Sequence, residues 1–182
     1  KGVEKLCKEK DMLLVIDEVQ TGNGRTGQLY CYMDYGIKPD IVTTAKGLAG
    51  GLPIGAAMFG EKTENTLCAG SHGSTFGGNP VCAAGANCVL SMITDELLSE
   101  VREKSDYIKS ELSGAEGIKS VCGMGLMLGI ETEKNAKDVV NECLKNGVVC
   151  LTAKSKVRLL PALNIPFDDL KCAIAVLKEA VK

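Results

Sequence analysis

The feature that most constrains the fold is a short apolar run, residues 12–16, that ends in a carboxylate, Asp17. Apolar runs of about four to eight residues, bounded by turn residues, are typical of strands buried on both faces of a sheet. Similar runs lie at 41–44 and 54–59, and residues 3–7 have apolar side chains at helical spacing. Strands that alternate with helices predict an α/β fold with a mainly parallel sheet in this half of the chain.

The second half of the chain has a different pattern. Asn79 and Pro80 predict a helix start, because asparagine caps helices and proline suits the first helical position. The apolar residues that follow predict a buried helix, and Thr94 predicts the cap of another helix. Beyond it we expect strands at 118–122, 126–131, 148–151 and 157–160, and helices at 136–145 and after a cap at Asp168. We place a domain boundary near residue 95, which separates residues 1–95 from an α+β domain at 96–182.

Composition limits the classes of partner. The chain has 21 lysines and arginines against 23 acidic residues, so its net charge of -2 gives no reason to expect nucleic acid or an anionic membrane surface. No apolar stretch of about 18 residues occurs, so we expect no membrane span. The nine cysteines form no Cys-x-x-Cys pair and one histidine is present, so we predict no metal site and reduced thiols in a cytoplasmic protein. A small molecule is the expected partner.

Asp17 and Lys46 are the first candidates for chemistry. Both follow predicted strands, and ligands of parallel sheets bind beyond the carboxyl ends of the strands. The residues around Lys46, at 45–51, are mostly small, which leaves space for a bound group near the lysine amine. The alternative is that Lys46 is a solvated loop lysine and Asp17 a helix cap, and spacing alone leaves both interpretations open.

Four segments taken together resemble the class III, or ornithine-type, aminotransferases. They are IDEVQTGNGRTG (16–27), PDIVTTAKGLAGGLPIGA (39–56), HGSTFGGNP (72–80) and LTAKSKVRLLPALNI (151–165), the last being most similar to acetylornithine aminotransferases. The resemblance covers essentially the whole chain. It implies a pyridoxal-5′-phosphate (PLP)-dependent transferase of fold type I, aspartate-aminotransferase-like, with part of the large cofactor-binding domain at 1–95 and the small carboxy-terminal domain at 96–182.

The resemblance also implies which residues contact the cofactor. Lys46 would carry PLP on its amine and later move a proton, and Asp17 would pair with the nitrogen of the cofactor ring. Val19 would pack against one face of that ring, and Gln20 would hydrogen-bond its phenolic oxygen. Thr75 would contact the phosphate of the cofactor in the neighbouring subunit, which implies a homodimer with active sites at the subunit interface.

Two further residues are implied to contact the substrate. Ser74 is similar to a substrate-contacting position of the family. Arg158 is similar to an arginine that grips a substrate carboxylate with its planar, two-donor fork, although a surface strand arginine is the alternative. Arg25 and the glycines around it are interpreted as a shaped loop rather than a binding clamp.

The resemblance implies a transaminase of arginine biosynthesis that moves the side-chain amino group of N-acetylornithine to 2-oxoglutarate. Ornithine, succinylornithine and 4-aminobutyrate are alternative donors. From another class, Gly22–Gly27 fits the dinucleotide pattern Gly-x-Gly-x-x-Gly, but residues 17–20 intervene between the strand and the glycines. Because helical spacing starts at Lys1, we expect a part of a longer enzyme that is inactive alone, with a non-catalytic binding or structural fragment as the alternative.

Overall fold

The computed structural model describes residues 1–182, and internal contacts divide the chain into two compact units. Unit 1 comprises residues 1–24 and 28–94, and unit 2 comprises residues 25–27 and 95–182. No single helix has both the length and the apolar composition to cross a membrane, and one bent pair of consecutive helices meets those criteria only when its two members are counted together.

Unit 1 contains a small sheet and two helices. Its elements are α1 (Gly2–Glu9), β1 (Val15–Asp17), β2 (Ile41–Thr44), β3 (Ala56–Phe59) and α2 (Pro80–Met92), with short 3-10 helices at Cys31–Tyr35 and Lys46–Ala49. The strand order is β1-β2-β3. Strand β1 pairs in parallel with β2, with Asp17 opposite Thr43, so the carboxyl ends of these two strands lie at the same edge.

The sheet is mixed, which corrects the prediction of a mainly parallel one. Strand β3 pairs with β2 in the antiparallel direction. A parallel pair requires a crossover connection of about a dozen residues or more, usually with a helix. The connection from β2 to β3 is instead a 3-10 turn, Lys46–Ala49, followed by Gly50 and Gly51 with φ of 63° and 108°. This tight connection reverses the chain direction.

The apolar run before Asp17 is less buried than predicted. The strand is shorter than the run, lies at one edge of the sheet, and leaves Val15 55% exposed. Helix α2 begins with the predicted cap, in which Asn79 Oδ1 accepts the N–H groups of Val81 and Cys82 at 3.0 and 3.2 Å. Only Cys82 and Ala86 of that helix are buried. An apolar pattern marks what an element can bury, whereas burial also requires neighbouring elements that cover it.

Unit 2 is an α+β unit with one antiparallel sheet. Its elements are α3 (Asp95–Leu112), β4 (Ile118–Met124), β5 (Met127–Thr132), α4 (Ala136–Lys145), β6 (Leu151–Ala153), β7 (Lys156–Leu159) and α5 (Phe167–Val181), with strand order β4-β5-β7-β6. The three helices and the sheet share a core whose fully buried side chains include Val101, Ile108, Leu112, Leu126, Ile130, Val139, Cys143 and Val157. The predicted helix at 136–145 is confirmed.

Two local predictions for unit 2 were wrong. The strand expected at 148–151 begins only at Leu151, because residues 146–148 fold back onto the end of α4, where the Val148 N–H donates to the Cys143 carbonyl at 2.9 Å. Asp168 is not the cap of the last helix but lies in its first turn. There its negative charge interacts favourably with the positive end of the helix dipole.

Hydrogen bonds connect residues 25–27 to the rest of unit 2. The Arg25 carbonyl accepts the Leu126 N–H at 3.0 Å, and the Arg25 guanidinium donates to the carbonyls of Leu126 and Pro161. Arg102 donates to the Gly27 carbonyl in the same way. The arginine at position 25 therefore shapes the backbone, as interpreted from the sequence.

Substitutions at two glycines with positive φ, Gly125 and Gly147, distinguish the cost of backbone strain from the cost of a steric clash. A Cβ at Gly125 (φ 51°) would lie 2.4 Å from the Arg25 carbonyl oxygen, whereas a Cβ at Gly147 (φ 82°) would meet nothing within 4 Å. We predict that Gly147→Ala lowers the free energy of unfolding by about 1 kcal/mol through strain alone. Gly125→Ala should lower it by at least about 3 kcal/mol, since backbone atoms must also move. Urea unfolding of the intact gene product measures both, and equal losses would contradict the packing of residues 25–27.

Candidate active site

Asp17 is the last residue of β1 and presents an exposed carboxylate. Its Oδ1 accepts the Val19 N–H and the Thr43 hydroxyl, each at 3.0 Å. These two hydrogen bonds, in that order, lower the pKa of Asp17 below its ordinary value, and the nearby positive charge of Lys46 lowers it further. Both internal donors use Oδ1, and the exposed carboxylate retains acceptor capacity for a ligand. The carboxylate is therefore ionised, oriented and accessible.

Lys46 follows β2 by two residues and is exposed. Its backbone has φ 51°, in the left-handed region that few residues with a Cβ adopt. Lys46 starts the 3-10 turn in which the Leu48 N–H donates to the Ala45 carbonyl at 3.2 Å. Because β1 and β2 are parallel with Asp17 opposite Thr43, and the turn that starts at Lys46 follows β2, the structure places the two predicted residues at the same edge of the sheet. An amine and an ionised carboxylate that both face solvent can contact one ligand.

The loop after Asp17 is organised by a buried carboxylate that the sequence analysis did not identify. Glu18 is 1% exposed. Its side chain accepts the Tyr32 N–H at 2.8 Å and the Thr21 hydroxyl, and its own N–H donates to the Thr43 carbonyl at 2.8 Å. These bonds fix the start of the glycine-rich loop against β2. The signal available in the sequence was a second acidic residue, Glu18, next to Asp17 at the end of an apolar strand.

Asn23 is a second residue that sequence reasoning missed. It is buried between Gly22 and Gly24, and its amide donates to the Ala45 carbonyl at 3.0 Å and to the Thr44 hydroxyl at 3.3 Å. These contacts join the loop that follows Asp17 to the turn that carries Lys46. The sequence predicted a glycine-rich loop here without a role for Asn23, and only the structure shows the partners of its amide.

The remaining predicted residues of unit 1 lie in two segments, the loop after Asp17 and a turn at residues 74–77. Val19 is partly buried next to Asp17, and Gln20 is exposed in the same loop. Ser74 and Thr75 lie in an exposed turn, 74–77, in which the Gly77 N–H donates to the Ser74 carbonyl at 3.2 Å. Both residues are exposed, so their hydroxyls are accessible to an external partner.

Arg158 lies on β7 in unit 2, paired with Gly129 of β5 and Leu151 of β6, and is partly buried. It lines an apolar cavity of about 670 Å³ bounded by the ends of α4 and β6 and by one face of α5. Asp169 is the other charged residue of that cavity lining. A guanidinium on a rigid strand at the rim of apolar surface suits recognition of a carboxylate that bears an aliphatic chain.

The donor set of unit 1 fits PLP in its chemistry. A carboxylate held ionised matches a protonated ring nitrogen, and a primary amine can bond covalently to an aldehyde. The exposed Thr75 hydroxyl can donate to a phosphate. No group of three or more His, Cys, Asp and Glu side chains is placed to hold a metal ion.

Comparison with known proteins identifies relatives of the whole chain. The family described as Aminotransferase class-III matches residues 1–181. The acetylornithine aminotransferase of Haemophilus ducreyi is 49% identical over 182 residues, covering 99% of this chain and 46% of that protein. That of Aquifex aeolicus is 46% identical over 178 residues, covering 97% and 47%. The chain thus spans about half the length of the curated relatives it matches.

Solved structures show the same fold. An ornithine aminotransferase from Toxoplasma gondii superposes with a TM-score of 0.90 at 32% identity, covering 97% of this chain and 45% of that one. An acetylornithine aminotransferase from Elizabethkingia anophelis gives a TM-score of 0.89 at 29% identity, covering 98% and 47%. The predicted fold class, a fold type I PLP transferase, is confirmed by these neighbours.

The hydrogen bond from Thr43 predicts a change in the titration of Asp17. Hydrogen bonds to the ionised form stabilise the folded state above the unfolded pKa, and that contribution is lost as pH falls through the lowered folded pKa. Thr43→Val removes one donor, so the pKa of Asp17 should rise, whereas Thr43→Ser should keep it. Carboxyl ¹³C NMR titration measures both. An unchanged Asp17 pKa in Thr43→Val would contradict the assigned hydrogen bond.

Proposed function

We propose that this chain, which belongs to the class-III aminotransferases, is the part of a PLP-dependent transaminase that carries the cofactor lysine. The reaction is transfer of the side-chain amino group of N-acetylornithine to 2-oxoglutarate. The acetylornithine aminotransferases among the relatives, at 40–49% identity, support this substrate. The observation that carries the proposal is that Asp17 and the turn starting at Lys46 lie at the same edge of the sheet, where the parallel strands β1 and β2 end.

PLP supplies an electrophilic aldehyde and a ring that accepts electrons. Lys46 would hold the cofactor covalently through its Nζ, and its free amine would move a proton from one carbon atom to another. The left-handed backbone conformation of Lys46 determines the direction in which its side chain leaves the turn. The flexible stem of lysine then lets one amine perform both tasks.

Asp17 would hold the ring nitrogen of the cofactor in its protonated form. Its two internal hydrogen bonds keep it ionised, and an ionised acceptor makes a stronger hydrogen bond to a cationic N–H than a neutral one. Val19, whose N–H donates to Asp17, would lie under the ring, and Gln20 would bond the phenolic oxygen. The Asp17 carboxylate thus sets the charge of the ring, and these two neighbours set its orientation.

The remaining assignments concern substrate and assembly. Arg158 would bind a carboxylate of the donor or of 2-oxoglutarate, and Ser74 would contact the substrate. Thr75 would bind the phosphate in the neighbouring subunit of a homodimer. The nine free thiols suit a reducing compartment, so we place the enzyme in the cytoplasm.

A second donor is favoured by one relative. The succinylornithine transaminase of Photorhabdus laumondii is 42% identical over 186 residues. N-Succinylornithine, like N-acetylornithine, has its α-amino group blocked as an amide. Both differ from ornithine, which carries an additional ammonium group that costs free energy if it is buried without a partner.

We predict that the intact gene product prefers the acylated donors. With 2-oxoglutarate as acceptor, kcat/KM for N-acetylornithine should exceed that for ornithine and for 4-aminobutyrate by at least about tenfold. A site for a neutral amide leaves the α-ammonium of ornithine unpaired, and 4-aminobutyrate has no amide to bind there. Initial rates with the four donors measure this preference. Equal values for all four would remove the N-acetylornithine assignment and leave a general transaminase.

Arg158 provides a test of substrate binding. Arg158→Lys should raise KM for 2-oxoglutarate by about tenfold or more, because one ammonium cannot replace two parallel N–H donors. Cofactor binding should stay unchanged. Arg102→Lys is the matched control, since Arg102 donates to the Gly27 carbonyl and should affect stability but not KM. Parental KM values for both 2-oxoglutarate and N-acetylornithine in Arg158→Lys would contradict the role of Arg158.

A further inference from the structure

The backbone at Lys46 requires support from other residues. Lys46 has φ 51°, and the preceding Ala45 has an extended φ of -168° with ψ of -146°. A residue with a Cβ keeps a left-handed conformation only where its surroundings fix it. Within the turn, the Ala45 carbonyl accepts one hydrogen bond, from the Leu48 N–H at 3.2 Å. A second contact with the same carbonyl comes from outside the turn.

Asn23 supplies that contact. Its Nδ2 donates to the Ala45 carbonyl at 3.0 Å, and the peptide bond of that carbonyl includes the nitrogen of Lys46. The same Nδ2 donates to the Thr44 hydroxyl at 3.3 Å, on the last residue of β2. The two N–H groups of one amide therefore hold the end of the strand and the plane of the peptide that leads into Lys46.

Asn23 is itself held in place. It is 8% exposed and has φ 55°, a conformation that asparagine tolerates better than most residues. The preceding Gly22 donates its N–H to the Glu18 carbonyl at 2.9 Å, and the Glu18 side chain is anchored by Tyr32 and Thr21. The amide is thus part of a fixed loop, so it can restrain the turn rather than follow it.

We propose that Asn23 is a positioning residue for Lys46, which holds the lysine backbone so that its amine stays at the site shared with Asp17. This inference rests on the proposed function, in which Lys46 binds PLP. Asparagine is suited to the task because only its amide nitrogen donates. An aspartate of the same shape would place an oxygen against the Ala45 carbonyl and offer no N–H.

The test compares three variants of the intact gene product loaded with PLP. Asn23→Asp removes the donors and keeps the shape, and Asn23→Gly removes the amide and keeps the positive φ. Asn65→Asp is the matched control, because Asn65 is exposed and bonds only its neighbour Glu64 at 3.4 Å. It makes the same change of atoms and charge away from the site. Thermal unfolding reports the folded fraction of each variant.

We expect PLP to dissociate about tenfold faster from both Asn23 variants, the effect of about one lost hydrogen bond to a partly buried acceptor. The pH at which the visible absorbance of the bound cofactor changes should also move in both. Asn65→Asp should keep parental values. A purely structural role for Asn23 would lower the folded fraction but leave both quantities parental in the folded protein.

The outcomes separate the two proposals. If the parental protein binds PLP and both Asn23 variants keep the parental dissociation rate and absorbance midpoint, the role of Asn23 is overturned and the proposed function stands. If the parental protein binds no PLP, the proposed function fails and the role of Asn23 fails with it. If Asn23→Asp does not fold, Asn23→Gly decides the question alone.

Discussion

The site depends on the parallel pairing of β1 with β2, in which Asp17 lies opposite Thr43. Parallel strands end at the same edge, so this register places a carboxylate and the turn with Lys46 together. It also puts the Thr43 hydroxyl 3.0 Å from Asp17 Oδ1. A register one residue out would turn the Asp17 side chain to the opposite face of the sheet. The backbone ladder thus determines the chemistry of the site.

The sequence predicted the parts of the site that depend on local pattern. Asp17 and Lys46 were identified because apolar strands and small residues next to them are visible in a few consecutive positions. The antiparallel direction of β3 was not predicted, because it depends on the conformation of the chain at residues 46–51. Burial of β1 was overestimated for a similar reason, since it depends on which elements cover Val15.

The supporting residues were missed because their partners are distant in sequence. Glu18 bonds the N–H of Tyr32, 14 positions away, and Asn23 bonds Ala45, 22 positions away. The partner of a glutamate or an asparagine cannot be predicted from the residue type, since buried carboxylates and amides occur wherever a folded loop supplies donors or acceptors. Family resemblance predicts which groups react, whereas the structure shows which residues support them.

The account is tested most directly by covalent trapping at Lys46. The intact gene product is loaded with PLP and reduced with borohydride, and its peptides are mapped by mass spectrometry. The account predicts one pyridoxyl group, on Lys46, that is lost in Lys46→Ala. Attachment to any other lysine, or no attachment in a folded protein saturated with PLP, would contradict the assignment of Asp17 and Lys46 as the cofactor site.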